Sequence, residues 1–503
     1  MSDISSNNKR LAKNTILLYF RMIIIMGVTL FTSRVILRTL GVEDYGIYNV
    51  VGGIVAMFSF ISSSLTTASQ RYITFELGKG KDGNLSNVFS TCLTLHLILG
   101  IMVAVVVEPI GIWFINNKLM IPAERIGAAM WVFQFSILSM IVMFVSVPYN
   151  ALIVAHEKMN AFALVSIIDA GLRLGIAYSL LAVSSFDKLI IYGLLMLLTQ
   201  LIIRVCYTIY CKRAFTDVRY INRMDKPLII EMGKFASWSI FGNVAFITYT
   251  QGLNLLLGSF FSPVVNAARG IAIQIQGAVN TFVGSFQTAI NPQITKNYAA
   301  GNLSEMINLV FRSSRFSFYL LMILSIPVFL RTSDILELWL VEVPKHTVTF
   351  VRIILLTTWI NSIANIIAVK ATGKIKLYES TVGSLMIAIL PTSYIFLRLG
   401  FSPEIVFIVH LFIECVAMIF RIWNARSLIH FSLNMYVKEV LIRIYTVALI
   451  SFVATYFVSI NLSDGLWPTI IVCIFSFMIS AIAIVAIGLN KGERSFIIKK
   501  IKR

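Results

Sequence analysis

Apolar runs long enough to cross a lipid bilayer recur from one end of this chain to the other. Examples are "TCLTLHLILGIMVAVVV", "VFQFSILSMIVMFVSV" and "IIVCIFSFMISAIAIVAIG". About 18 to 20 apolar residues cross the roughly 30 Å of hydrocarbon in a bilayer. The chain is 58% hydrophobic and only 13% charged, whereas soluble domains are roughly half apolar and about a quarter charged. The sequence therefore predicts an all-α polytopic membrane protein.

Polar breaks divide this pattern into about fourteen spans. Cationic residues recur at alternate breaks, and acidic residues dominate the others: the first group includes Lys79, Lys158, Arg219 and Lys296, and the second Asp44, Asp187 and Asp464. Because cytoplasmic loops carry an excess of Lys and Arg, both termini are predicted to be cytoplasmic. The same topology explains the net charge of +19, so no nucleic-acid partner is predicted.

Two short echoes indicate an internal repeat. The tetrapeptide GNLS occurs at residues 83–86 and 301–304, and "AHEKM" at 155–159 corresponds to "ATGKI" at 371–375. Their similar spacing predicts two six-helix lobes of one orientation, related by a pseudo-two-fold axis along the membrane normal. The predicted parts are an N-terminal lobe (1–213, helices 1–6), a cytoplasmic linker (214–226), a C-terminal lobe (227–432, helices 7–12) and helices 13–14 with a basic cytoplasmic tail (433–503).

A polar stripe marks the eighth predicted span. It consists of Arg269, Gln276, Asn280, Gln287 and Asn291, spaced by seven, four, seven and four residues. This spacing places them on one face of a helix, which cannot face lipid cheaply. Asn243 and Asn254 in the seventh span and Gln70 in the second are further polar residues on one side of their helices. Together they predict the walls of a substrate cavity, and the alternative is interhelical hydrogen bonding without transport.

Charged residues inside other spans are further candidates. Arg21 lies in the middle of the first span, where an arginine costs at least about 2.5 kcal/mol, so we expect it to be solvated or to bind substrate. Asp169 and Arg173 in the fifth span are four residues apart and can form an ion pair on one helix face. The pair is either structural or an ion-coupling site for H+ or Na+.

Signatures of enzymes and of metal sites are not found. No Walker A, GxSxG, HExxH or DxD-like pattern occurs in a plausible loop, and the five cysteines show no ligand spacing. We therefore predict a transporter, with no catalytic residue, cofactor or bound metal. The histidines His96 and His410 stand alone on apolar helices and are predicted to be packing residues.

Several long segments resemble a known family. They are "LYFRMIIIMGVTLFTSRVILRTLGVEDYGIYNVVGGIV", "TTASQRYITFELGKG", "VPYNALIVAHEKMNAFA" and "NAARGIAIQIQGAVNTFVGSFQTAINPQITKNYAAGN". They resemble the Wzx-type polysaccharide flippases of the multidrug/oligosaccharidyl-lipid/polysaccharide (MOP) exporter superfamily. The resemblance implies alternating access through a central cavity between two lobes.

The resemblance also implies a substrate, a location and partners. The substrate would be an undecaprenyl-diphosphate-linked oligosaccharide repeat unit of O-antigen, capsule or exopolysaccharide, moved to the periplasmic leaflet of the bacterial cytoplasmic (inner) membrane. Partners would be the lipid bilayer and the polysaccharide polymerase and glycosyltransferases of the same pathway. Arg21 and, less closely, Arg269 match the arginines that bind the diphosphate in the related lipid II flippases.

Three alternatives remain open. A multidrug cation antiporter of the same superfamily would need carboxylates in its lumen, and the polar stripes carry none. A lipid II flippase is a closer alternative, and it is distinguished by whether the protein restores cell-wall synthesis or surface polysaccharide in a depleted strain. A polysaccharide polymerase or ligase would need a large periplasmic loop, and the longest candidate, Ser333–His346, is too short for one.

Overall fold

The computed structural model of the chain is helical throughout the part that it describes. That part is residues 2–495 without 57, 81–82, 118, 120, 183–185, 222–224, 262, 341–342, 365 and 491, and no strand occurs in it. The predicted all-α class is therefore confirmed. The predicted basic tail at 499–503 lies outside the described residues.

The chain forms two compact units. The N-terminal unit comprises Arg10–Ile240, and the C-terminal unit comprises Phe241–Arg503 together with Met1–Lys9. The division falls inside one helix, Lys226–Phe260. The lobe boundaries drawn from the hydrophobic pattern, and the pseudo-two-fold axis, stay predictions.

Six helices precede that shared helix. They are α1 (Ser2–Ala56), α2 (Ser59–Gly78), α3 (Leu85–Asn117), α4 (Ile126–Ala155), α5 (Met159–Ala182) and α6 (Lys188–Ala214). Helix α1 is broken at Gly41, whose φ of 81° and ψ of 168° are not helical. Glycine adopts such positive φ values without the penalty that a Cβ imposes, so the chain bends here between the first span and the second.

The remaining helices begin with the shared one. They are α7 (Lys226–Phe260), α8 (Pro263–Ala299), α9 (Leu303–Leu330), α10 (Thr332–Trp339), α11 (Thr347–Ile363), α12 (Ile367–Thr372), α13 (Lys376–Arg398), α14 (Glu404–Ile429), α15 (Leu433–Tyr436), α16 (Arg443–Ile460) and α17 (Leu466–Ala483). Short π-helical turns, Val437–Ile442 and Ile484–Gly488, follow α15 and α17.

Membrane-spanning character is widespread among these helices. Within the described residues, 11 helical segments are long and apolar enough to cross a membrane, and Asn14–Thr29 in α1 is a shorter apolar stretch. Helix α8 has 37 residues but is not among the 11, because its polar stripe lowers its hydropathy. A multi-pass membrane protein is thus confirmed, whereas the number fourteen stays a prediction.

Ion pairs fasten the ends of three helices in the N-terminal unit. Arg125, just before α4, donates to Asp44 Oδ2 and to Asp187 Oδ2, both at 2.5 Å. Asp44 follows the bend in α1, and Asp187 caps α6 by accepting from the amides of Leu189 and Ile190. Burial raises the pKa of Asp187, but the hydrogen bonds from Arg125 and these amides outweigh it and hold the pKa below its usual range.

The first copy of GNLS docks the segment that follows α6. The Ser86 hydroxyl donates to the Asp217 carbonyl at 3.0 Å and accepts from the Arg219 amide at 3.1 Å. Ser90, one turn later, accepts from the Ile221 amide at 2.8 Å. The first copy therefore holds the predicted linker against the start of α3.

The second copy of GNLS has a different role. Gly301 has a φ of 75° and ends α8, and the Asn302 amide donates to the Asn297 carbonyl at 2.9 Å. This six-to-one bond around a left-handed residue is a Schellman termination. Ser304, the counterpart of Ser86, is exposed. The same four residues thus have two different roles: the first copy binds the linker, and the second ends α8.

The other echo is preserved as a turn. Glu157 and Gly373 occupy the same place in "AHEKM" and "ATGKI", and both are left-handed, with φ of 58° and 78°. Each follows a helix that ends a predicted span, α4 in one case and α12 in the other. Asn14, buried at the start of the apolar part of α1, donates to the Glu157 carbonyl at 3.4 Å.

Candidate functional site

A polar pocket of about 710 Å³ lies within the C-terminal unit. Its wall combines residues of α7, α8, α11 and α14 with the segment between α11 and α12. The polar lining residues are Thr250, Gln251, Asn254, Arg269, Gln276, Asn280, Gln287, Thr357, Thr358, Asn361, Ser362 and His410. The volume falls within the roughly 300 to 1,000 Å³ typical of small-molecule sites.

The stripe predicted on α8 forms one wall of this pocket. Arg269, Gln276, Asn280 and Gln287 all line it, because their seven- and four-residue spacing returns to the same helix face. Asn291, the last member of the stripe, does not line the pocket and has a buried Oδ1 without a hydrogen-bond partner among the described residues. The structure thus brings four of the five stripe residues to one cavity.

Arg269 has only neutral groups as hydrogen-bond partners in the described structure. Its side chain is 3% exposed, Nη1 donates to Asn254 Oδ1, and Nη2 donates to the Thr250 carbonyl at 2.8 Å. The amide of Asn254 is itself oriented, because Nδ2 donates to Gln251 Oε1 at 3.1 Å. The guanidinium is therefore held in place with no carboxylate to neutralise it.

Amides and hydroxyls continue this wall along α8. Gln276 donates to the Thr358 hydroxyl of α11 at 2.9 Å, and Gln287 donates to the Ser317 hydroxyl of α9 at 3.3 Å. Asn280 between them is exposed. Such groups both donate and accept hydrogen bonds, so the wall can bind several hydroxyls of a polar ligand.

Acidic residues do not contribute to the pocket. None of the described residues that line it is Asp or Glu. The acidic residue four positions beyond His410, Glu414, is 1% exposed and pairs with Arg421 on the same helix. The fixed charge of the pocket is therefore positive, which suits an anionic ligand.

Sequence reasoning missed the wall that α11 forms next to α8. Thr357, Thr358, Asn361 and Ser362 lie on α11 at spacings of one, three and one, which place them on one helix side. This spacing was only a weak signal, because hydroxyl side chains are tolerated on any side of a spanning helix. His410, predicted to be a packing residue, is buried and lies 5.1 Å from the Tyr249 ring centroid, and it also lines the pocket.

Arg21 belongs to the N-terminal unit. Its guanidinium carbon lies 4.3 Å from the centroid of the Phe162 ring on α5, a cation–π contact. Its Nε is buried without a hydrogen-bond partner among the described residues. Tyr207 of α6 is close enough to interact electrostatically with Arg21. The Tyr207 hydroxyl accepts a hydrogen bond from Asn150 at 3.1 Å. The neighbours recorded for Arg21 are thus two neutral aromatic side chains, Phe162 and Tyr207, and the Asp169 carboxylate also acts on Tyr207.

The remaining predicted residues lie outside the pocket. Asp169 and Arg173 form the expected ion pair on α5 at 3.1 Å, and their role in ion coupling stays a prediction. Gln70 in the middle of α2 and Asn243 on α7 are half-buried, and neither lines the pocket. Within the described part of the chain, no group of three or more His, Cys, Asp or Glu residues can hold a metal ion.

Comparisons with known proteins find similarity in structure only. No family model and no curated protein matches the chain. A MATE transporter in the straight conformation is similar with a TM-score of 0.68 and 15% identity, over 84% of this chain and 96% of its own. The Vibrio cholerae MATE transporter VcmN in the bent form is similar with a TM-score of 0.67 and 15% identity, over 87% of this chain and 100% of its own.

The description of a further similar structure concerns its binding pocket. It is a MOP superfamily transporter from Pyrococcus furiosus, with a TM-score of 0.67 and 14% identity over 84% of this chain and 96% of its own, and the reverse polarity of its binding pocket is described as suggesting a different function. Identities this low establish the fold and nothing finer. The chain has the fold of the MATE transporters of the MOP superfamily.

Proposed function

We propose that this protein is a transporter that moves an undecaprenyl-diphosphate-linked oligosaccharide from the cytoplasmic to the periplasmic leaflet of a bacterial inner membrane by alternating access. The observation that carries the proposal is Arg269, a buried guanidinium whose described hydrogen-bond partners, Asn254 and Thr250, are neutral. An arginine without a counter-ion is suited to the oxygens of a diphosphate, which its planar fork can bind in pairs.

The rest of the pocket supports a glycan as the neighbouring group. Gln276, Asn280, Gln287 and Asn361 offer amides that donate and accept hydrogen bonds, as sugar hydroxyls require. A glycan head group is too polar to cross hydrocarbon unaided, whereas a polyprenyl tail remains in the lipid. A polar cavity in a membrane-spanning unit would give the glycan head group a path that avoids the hydrocarbon.

A multidrug cation exporter is the competing function, because the structures that this fold resembles include MATE multidrug transporters. An organic cation would face Arg269 with no acidic residue among the described lining residues. At about 4 Å and an effective dielectric constant of 20, two like charges repel by about 4 kcal/mol. The pocket therefore favours an anionic substrate.

Complementation of a bacterial strain that lacks its own polysaccharide flippase tests the proposal. We expect the wild type to restore surface polysaccharide, Arg269→Ala to fail, and Arg269→Lys to restore it in part, because lysine keeps the charge and loses the fork. Protein level is checked by immunoblot. Restoration of growth in a strain depleted of its lipid II flippase would assign the other lipid-linked substrate.

A drug-susceptibility assay on the same strains tests the competing function, drug export. Resistance to organic cations conferred by the wild type, without any restored polysaccharide, would replace the proposed function with drug export. Arg269→Ala would then be expected to raise that resistance, because it removes the repelling charge.

A further inference from the structure

The polar residues of the pocket lie at different levels along α8. Gln276 is seven residues beyond Arg269, Asn280 is eleven residues beyond it, and Gln287 is eighteen residues beyond it. At about 1.5 Å per residue, these three side chains lie about 10, 16 and 27 Å along the helix from Arg269. A ligand that contacts Arg269 and fills the pocket is therefore elongated along α8.

Helix α11 of the same unit runs parallel to α8. Only residues 300–302 connect α8 to α9, so these two helices are antiparallel. Arg352, near the start of α11, donates to the Phe329 carbonyl near the end of α9 at 3.1 Å. Trp359, seven residues later, donates to Ser325, four residues earlier, at 2.5 Å. Helices α9 and α11 are thus antiparallel as well, and levels on α8 and α11 can be matched in one direction.

Two amides lie at the same level of the pocket on these two helices. Gln276 donates to the Thr358 hydroxyl at 2.9 Å, so these two residues are level. Asn280 is four residues beyond Gln276, and Asn361 is three residues beyond Thr358, which places both about 5 to 6 Å farther along. Both line the pocket, both are exposed, and neither side chain is hydrogen-bonded to another described residue. Both amides are therefore available to a ligand.

A second set of contacts gives the same level. Gln287 of α8 donates to Ser317 of α9, and Ser325, eight residues farther along α9, accepts from Trp359 of α11. Because α9 runs opposite to α8, eight residues forward on α9 correspond to eight residues back on α8, which is Val279. Trp359 is therefore level with Val279, within about 3 Å of the level that the direct contact between α8 and α11 gives.

These levels match the parts of a diphosphate-linked glycan. One turn of an α-helix, about 5.4 Å, is close to the length of one pyranose residue in a glycan chain. Asn280 is about three turns beyond Arg269. A diphosphate at Arg269 takes up about the first turn, and two sugar residues take up the next two. The second sugar then lies between Asn280 and Asn361, whose amides donate to and accept from hydroxyls.

We propose that the pocket binds the substrate lengthwise, with the diphosphate at Arg269 and the second sugar residue from the diphosphate held by the amides of Asn280 and Asn361. This inference rests on the proposed function and adds a glycan subsite to it. The pocket continues beyond this level, because Gly284 also lines it and a Cβ at Gly284 would meet no heavy atom of the described residues within 4 Å. A third sugar residue therefore has room beside Gly284.

Probes of increasing length test the inference. Binding to the full-length protein in nanodiscs is measured for geranyl diphosphate and for geranyl diphosphate that carries one, two or three N-acetylglucosamine residues. Asn280→Leu and Asn361→Leu should each weaken binding of the two-sugar probe about fivefold, because each removes hydrogen bonds to the second sugar. Both variants should bind geranyl diphosphate and the one-sugar probe as the wild type does, so the shorter probes control for misfolding.

A steric variant tests the direction of the glycan without depending on hydrogen bonds. Gly284→Leu should weaken binding of the three-sugar probe about tenfold, because leucine fills the space beside the third sugar, and should leave the shorter probes unaffected. Ala278→Leu is the matched control, since Ala278 is exposed on α8 but does not line the pocket. It should leave binding of all four probes unchanged.

The subsite and the proposed function fail in different ways. If either asparagine variant binds the two-sugar probe as tightly as the wild type, or if Gly284→Leu weakens all four probes equally or none of them, the glycan subsite is refuted. The proposed function survives that result as long as Arg269→Ala weakens binding of geranyl diphosphate. If the wild type binds no probe, or if Arg269→Ala binds geranyl diphosphate as tightly as the wild type, the proposed function itself is refuted.

Discussion

Replacing Asn254 by aspartate changes the charge of the pocket with little change of shape. Asn254 Oδ1 accepts from Arg269 Nη1, and its Nδ2 is held by Gln251 at 3.1 Å, so the new carboxylate would lie directly against the guanidinium. Arg269 would then be neutralised in place. The fold should tolerate the change, because Gln251 can rotate to present its own amide donors.

The expected loss of affinity follows from Coulomb's law. A phosphate in contact with Arg269 would lie about 4 Å from its charge, and a carboxylate on the far side would lie about 8 Å from the phosphate. At an effective dielectric constant of 20, that carboxylate repels the phosphate by about 2 kcal/mol. This corresponds to binding that is about 30-fold weaker.

Equilibrium binding of geranyl diphosphate to the protein in nanodiscs measures this loss, with Asn254→Ser as the matched neutral control. The serine variant removes the hydrogen bond to Arg269 without adding charge, so a smaller loss is expected. Unchanged or tighter binding by Asn254→Asp, with the protein folded, would refute the argument that Arg269 acts through its uncompensated charge.

Three further predictions concern the framework around the pocket. Asp187→Asn keeps the helix cap but loses the ion pair with Arg125, so it should lower stability by about 1 kcal/mol, and Asp187→Ala, which also loses the cap, by about 2 kcal/mol. The folded-state pKa of Asp187 is depressed, so the wild type should lose the stability that the ion pair contributes as pH falls through that pKa. Thermal unfolding in detergent measures this loss, and Asp187→Asn, which has no ion pair, should not show it. Ser86→Ala should expose Arg219 to faster tryptic cleavage, whereas Ser304→Ala, at the exposed counterpart, should leave cleavage unchanged; equal rates in both would contradict the docking role. Gly373→Ala should cost about 1 kcal/mol in thermal unfolding because alanine resists positive φ, and the control Gly171→Ala, in open space on α5, should cost nothing.

The part of the pocket on α8 was predictable because its signal is periodic. Polar residues at seven- and four-residue spacing in an otherwise apolar span have no low-energy orientation toward lipid. The face that carries Arg269, Gln276, Asn280 and Gln287 must therefore point away from lipid. The all-α, multi-pass architecture was predictable for a related reason, since only helices satisfy the backbone in runs of this length.

The wall on α11 was harder to predict because hydroxyls can satisfy themselves within a helix. Thr357 and Thr358 donate to the carbonyls four residues earlier at 3.0 and 2.7 Å, and Ser362 donates to the Trp359 carbonyl at 2.8 Å. Such residues are tolerated on any side of a spanning helix, so their presence alone does not identify a cavity. Only the packing of α11 against α8, through Gln276 and Thr358, shows that this side is the pocket wall.

The two sequence echoes show which kind of repetition carries structural information. Glu157 and Gly373 differ in side chain but share a left-handed backbone, because the chain must leave the preceding helix in the same way in both halves. Around Glu157 the amides of Glu157 and Lys158 donate to the carbonyls of Val154 and Ile153 at 2.9 and 3.1 Å, a Schellman termination that offsets the cost of a left-handed glutamate, about 1 to 2 kcal/mol.

The two identical GNLS tetrapeptides carry less structural information than the turn at Glu157 and Gly373. Gly301 is left-handed, whereas Gly83 is not and Gly80 is instead, and Ser86 binds the linker while Ser304 is exposed. The first half continues after α6 into a linker that needs a docking partner, and that demand determines what Ser86 does. A backbone conformation imposed by chain reversal therefore persists through substitution of its side chain, whereas a side-chain contact depends on the neighbouring segment that happens to need it.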